Sequence, residues 1–138
     1  MTKSRSEIII PEQTRYYHCI SRCVRRAFLC GTDRYTGKNY DYRRARIEKD
    51  MLKYARIFCL NIYAYSVMSN HTHILLEIDD LEACSLTYKQ VLKRYHKIFK
   101  PLKIEEKFLA GDKLEKEETE LLKVRVAMYR RRLSSISW

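Results

Sequence analysis

Tyr63-Ala-Tyr-Ser-Val-Met-Ser-Asn-His-Thr-His-Ile-Leu-Leu-Glu77 decides how this chain is read. Residues with strand preference stand on both sides of Ser69-Asn70, a polar pair of turn formers. Residues 61–68 and 71–78 are therefore expected as two strands joined by a short turn, an antiparallel hairpin. Side chains two apart on a strand share a face. Thr72, Ile74, Leu76 and Ile78 make one face suited to a core, and His71 and His73 point the other way. Two imidazoles at that spacing can ligate one divalent ion, but two ligands do not complete a site. An exposed His-x-His strand can equally be held by local hydrogen bonds.

Working outward, residues 14–23 read as a further strand, with Tyr16, His18, Ile20 and Arg22 on one face and Tyr17, Cys19 and Ser21 on the other. Residues 43–59 carry Ile47, Met51, Tyr54 or Ala55, and Phe58 at helical spacing. Residues 85–100 form a second expected helix, with Val91, Tyr95, Ile98 and Leu102 in its apolar line and Pro101 as its stop. Residues 113–138 form the longest expected helix, acidic at its start and basic at Arg130, Arg131 and Arg132, as the helix dipole favours. Its seam of Leu122, Val126, Tyr129, Leu133 and Ile136 suits a partner helix, expected from a second copy of the chain. It reaches Trp138 without a Gly or Pro stop, so the natural chain is expected to continue. Residues 1–13 read as a mobile arm. The order strand, helix, strand, strand, helix implies an α+β fold with helices on one face of an antiparallel sheet and the histidines on the open face.

Composition narrows the partners. The chain has 138 residues, a length suited to one domain with a modest core. No stretch approaches a membrane span and no signal peptide opens the chain. The five cysteines are odd in number and scattered, so free thiols in a reducing cytoplasm are expected. Net charge is +11, with 28 Lys and Arg against 17 Asp and Glu. The acids gather late, at Glu115, Glu117, Glu118 and Glu120, whereas Arg15, Arg22, Arg25, Arg26, Arg34, Arg43, Arg44 and Arg46 crowd the first third. Eleven tyrosines interleave with this charge. Rings stack on unpaired bases while cations hold phosphate, so nucleic acid is the expected partner.

The segment Tyr65-Ser-Val-Met-Ser-Asn-His-Thr-His-Ile-Leu-Leu76 resembles the signature of the IS200-like transposases and the REP-associated tyrosine transposases, within the HUH single-strand DNA nucleases. Ser69 stands where that signature usually has proline, and Thr72 where it has a hydrophobe. Tyr17-His18 with Arg22, and Tyr63-Ala64-Tyr65, match the opening and preceding strands. The resemblance covers residues 14–78 and is loose beyond them. It implies a ferredoxin-like fold, a homodimer, and a mobile-element enzyme that cleaves and transfers single-stranded DNA. It further implies Mg²⁺ or Mn²⁺ held by His71, His73 and a third polar group, polarising the scissile phosphate. A tyrosine on a later helix would attack, leaving a 5′-phosphotyrosine and a free 3′-hydroxyl.

That tyrosine is where the sequence departs from the pattern. Tyr129 is the candidate nucleophile, but Leu133 stands where the family has an amide one turn later, and Tyr129 also fits the apolar seam as a packing residue. The alternative to an enzyme is a nucleic-acid-binding derivative without the chemistry. Arg15, His18, Arg22, Arg25, Arg26 and Asn70 are the candidate DNA contacts. His18 can face the metal or phosphate or be a partly buried strand histidine, Asn70 shapes the turn, and Glu77 is either an outer ligand or a solvated acid.

Overall fold

A computed structural model describes residues 9–10, 13–24 and 28–137. The arm expected over residues 1–13 falls almost wholly outside them, as do Arg25 and Arg26. The chain length that suits one domain is built as two compact units. A sheet unit takes in Met1–Arg56 and Leu60–Ile78, and a helical unit takes in Ile57–Cys59 and Asp79–Trp138.

The sheet unit contains strand β1 (Tyr16–Arg22), helix α1 (Tyr42–Ile57), strand β2 (Leu60–Val67) and strand β3 (His71–Ile78). The sheet is antiparallel, in the order β1-β3-β2. The fold is the expected α+β, and the run β-α-β-β is the opening run of a ferredoxin-like unit. β3 is the central strand, so its two faces decide what each side of the sheet does. Its even-numbered residues face α1. There Ile47, Met51 and Ala55 of the helix line an apolar groove of about 350 Å³ with Leu60, Ile62, Ile74 and Leu76 of the strands. Arg44 donates from Nη1 to the Val67 carbonyl, and the Tyr65 hydroxyl donates to Glu48, which ties helix to strand.

The hairpin tip is fastened from outside. The Asn70 carbonyl accepts from the Cys23 N–H at 2.9 Å, and the Ser69 carbonyl accepts from Leu29 at 2.6 Å and Cys30 at 3.2 Å. The exit of β1 and the loop after it thus hold the turn that delivers His71.

The helical unit holds α2 (Asp80–Ser85), α3 (Tyr88–Tyr95), α4 (Lys103–Ala110) and α5 (Lys116–Leu133). The helix expected over residues 85–100 is a correction. Leu86 is extended and Thr87 starts a new helix, its hydroxyl accepting from the Gln90 N–H while the Gln90 side chain accepts from the Thr87 N–H. This reciprocal cap is worth more at a helix start than a continued turn. α3 then ends at Tyr95, before Pro101. Its buried residues Val91, Leu92 and Tyr95 join a cluster with Leu122, Val126, Tyr129 and Leu133 of α5.

Four residues of the seam expected to await a second chain, Leu122, Val126, Tyr129 and Leu133, are therefore buried within this one, and Ile136 lies past the end of the helix, partly buried. α5 also stops at Leu133, with Ser134 as its C-cap, rather than running to Trp138. The carbonyl of Leu133 accepts from the Cys59 N–H at 2.8 Å, so the helix end has a partner of its own. α4, absent from the sequence reading, closes on Gly111 in the left-handed conformation (φ 89°) that glycine adopts without strain.

Candidate nucleic-acid interface

The sheet face away from α1 collects the odd-numbered residues of β3. Arg22 of β1 lies opposite His71, Ile20 opposite His73, and His18 opposite Leu75. On the other flank Ser66 lies opposite His73 and Ala64 opposite Leu75. Ala64 and Ser66 are small, and a shallow hollow of about 220 Å³ opens among them, His18, His73 and Leu75. Ile20 and Leu75 are exposed on this face although apolar.

Three of the four histidines meet here. The rings of His71 and His73 lie edge to face with centroids 4.9 Å apart, and those of His18 and His73 stack at 5.0 Å. His18 Nε2 and His73 Nδ1 share a hydrogen bond of 2.9 Å. His71 Nδ1 lies 2.5 Å from Asn70 Oδ1. A carbonyl oxygen only accepts, so His71 Nδ1 donates in this contact and its Nε2 takes no part in it. His73 Nδ1 is committed to His18, so only its Nε2 remains for another partner. Desolvation first, then His71, His18 and Arg22, push the His73 pKa below the ordinary histidine value. Neutral imidazole, the ligand form, is favoured there.

The donor set fits part of a coordination shell and no more. Among the described residues no group of three or more His, Cys, Asp or Glu side chains is placed to hold a metal ion. His18 and His73 turn nitrogens toward each other rather than toward a common point. Glu77 turns one oxygen to its neighbours, its Oε2 accepting from the Tyr63 hydroxyl at 2.8 Å and from Asn61 Nδ2 at 3.3 Å. His71 and His73 are left as two imidazole donors, oriented by Asn70 and His18 as outer partners orient metal-binding histidines.

No family model, curated protein or solved structure matches this chain.

Arg15 and Arg22 are exposed at the two ends of β1. Asn70 holds a ring and a turn rather than offering its amide oxygen outward. Tyr129 is placed as the packing residue of the two roles open to it. Its side chain is 3% exposed and stacks on Tyr95 with centroids 3.7 Å apart. Its hydroxyl donates to Glu105 Oε1 at 2.9 Å. Burial, then that hydrogen bond, push its pKa up to about 12.

The sequence reading missed Tyr63 and Glu105. Strict alternation puts Tyr63 on a face but cannot show the bulge that aims it, because the register slips between Ile62 and Ala64. Glu105 reads as a solvated acid in Lys103–Ala110, yet it is 0% exposed. Its four hydrogen-bond partners, the Leu102 N–H, His96, Arg125 and Tyr129, come from three different elements.

Proposed function

We propose that the sheet unit binds single-stranded or hairpin DNA on its histidine face, in the manner of a transposase, with a divalent cation at His71 and His73. The observation that supports this most is the run of imidazoles of His18, His73 and His71 on an open sheet face that ends at Arg22. A buried or solitary histidine would support no such reading; an oriented pair beside a cation does.

The parts divide the work. Arg22 supplies charge for a phosphate next to His71. Asn70 and His18 hold the two rings. Exposed Ile20 and Leu75 offer apolar contact to unpaired bases. Mn²⁺ suits imidazole better than Mg²⁺ does, and phosphate and water oxygens would complete its shell. Such an ion, when bound, polarises a phosphoryl oxygen. The five free cysteines suit a reducing cytoplasm.

A second reading, binding without cleavage, is favoured by one observation. The Tyr129 hydroxyl is enclosed and held protonated, so it does not serve as a nucleophile in this arrangement.

The test combines fluorescence anisotropy with mass spectrometry. Single-stranded and hairpin oligonucleotides should bind more tightly than duplex, and Mn²⁺ should strengthen binding in the wild type but not in His71→Ala or His73→Ala. Equal affinity for duplex, or an Mn²⁺ effect that survives both substitutions, would sink the proposal. A tyrosine–DNA adduct, formed only with metal, would decide for the enzyme; intact DNA with full binding would decide for the second reading.

A further inference from the structure

At the far end of the histidine face, Tyr16 of β1 and Tyr63 of β2 flank Glu77 of β3. Their ring centroids lie 5.9 Å apart at 60°. Tyr16 is 53% exposed and Tyr63 60%, a large apolar surface to leave in water. A bulge in β2 makes the arrangement. Ile62 pairs with Leu76 and Ala64 with Leu75, so Tyr63 is the extra residue. Bulges re-aim side chains, and here the Tyr63 hydroxyl reaches Glu77 Oε2, which stands its ring on the histidine face.

Glu77 is the odd residue of this surface. A carboxylate repels phosphate, and here it shares a face with Arg22 and the histidines. It is also kept ionised: Tyr63 and then Asn61 hold its pKa below the usual carboxylate range, with Arg15 adding to them. Such a group marks a place where a base edge is read and no phosphate sits. Carboxylates accept from amino groups of bases, as in contacts to the cytosine N4 amine. Exposed aromatic rings on an open antiparallel sheet are a recurrent platform for unpaired bases. Glu77 is four residues from His73 along one strand, about 13 Å at the rise of an extended chain. A strand of DNA lying along the face with a phosphate at the histidines has a nearby base within reach of it.

We infer that Tyr16, Tyr63 and Glu77 form a subsite for one unpaired DNA base, which stacks on the tyrosines and donates its exocyclic amino group to Glu77. The inference rests on the single-stranded DNA reading above. It favours amino-bearing bases over thymine, whose two carbonyls flank its only ring N–H and are repelled by the carboxylate.

The experiment is anisotropy with oligo-dT ten-mers in which a single dC is moved along the strand. The wild type should prefer dC over dT at one position by about fivefold. Glu77→Gln should remove that preference, because an amide also donates to thymine carbonyls, while leaving binding of oligo-dT intact. Tyr16→Ala should weaken all oligonucleotides about tenfold, and Tyr16→Phe should restore them, since the ring and not the hydroxyl stacks. Oligo-dT binding by the wild type together with unchanged behaviour of Glu77→Gln and Tyr16→Ala would overturn the subsite and leave the parent reading standing. Loss in Tyr16→Phe as large as in Tyr16→Ala would overturn the stacking role. Absence of any oligonucleotide binding by the wild type would overturn the parent reading and the subsite together.

Discussion

At Tyr129 the hydroxyl donates to the buried Glu105 carboxylate and accepts from Arg125, and those two contacts separate a packing residue from a nucleophile. The sequence shows a tyrosine at a suitable place on a late helix; it cannot show Glu105 waiting opposite. Tyr129→Phe removes two hydrogen bonds to charged groups, the one donated to Glu105 and the one accepted from Arg125, while keeping the ring stacked on Tyr95. The expected cost is about 3 kcal/mol in urea denaturation, with DNA binding unchanged. If the substitution instead abolished a metal-dependent cleavage without changing stability, Tyr129 would be the nucleophile after all. Glu105 itself carries a pH signature. Burial pushes its pKa up, but the Leu102 N–H, Arg125, Tyr129 and His96 together outweigh burial and leave it below the ordinary value. A carboxylate with a lowered folded pKa contributes stability above its unfolded pKa of about 4.3 and loses that contribution as pH falls through the folded value. Acid unfolding of the wild type should therefore steepen below about pH 4.3, and Glu105→Gln should flatten the profile. A mutant profile parallel to the wild type would remove Glu105 as the cause.

Elements were legible in proportion to how locally their signals were written. β3 is found at the expected residues, since alternation and the Ser69-Asn70 turn are both local. α1, with Ile47, Met51 and Ala55 at helical spacing, is found within two residues at each end. The break at Thr87 is also written locally, as the Thr-x-x-Gln pattern, but the apolar line through Val91 and Tyr95 runs across it and speaks for one helix. The seam of α5 packs as its apolar spacing implies from Leu122 to Leu133. What covers it was not readable, because an apolar stripe is satisfied equally by a second chain or by α3. The two faces of α5 now give opposite expectations. Leu133→Ala, in the buried cluster, should cost about 3 kcal/mol. Val124→Gln, on the exposed side, should cost about 0.5 kcal/mol or less. Chemical denaturation at two protein concentrations measures both. A Leu133→Ala effect that vanishes on dilution would restore the seam to an interface between copies. Otherwise any homodimer must use another surface.

At the scale of the molecule, charge is the property the sequence carried most plainly, and the two units share it unequally. The acidic residues Glu115, Glu117, Glu118 and Glu120 all belong to the helical unit, and Arg15 and Arg22 stand on the histidine-bearing sheet. Among the described residues no helix is long and apolar enough to cross a membrane. Binding through phosphates releases condensed counterions, so the logarithm of affinity for single strands should fall linearly with the logarithm of salt, by about 0.7 per phosphate contacted. Contacts that read bases leave that slope alone. The two kinds of residue on the face can therefore be told apart in one series. Arg22→Ala and Arg15→Ala should each weaken binding for every sequence and reduce the slope by about 0.7. Tyr16→Ala should weaken binding with the slope intact. The histidine substitutions should lower affinity only where Mn²⁺ is present, again with the slope in metal-free buffer intact. Titrations from about 50 to 200 mM salt cover the range in which several phosphate contacts change affinity by orders of magnitude. A wild-type slope near zero would mean that the net charge of +11 is not spent on phosphate, and the face would then have to bind something other than nucleic acid.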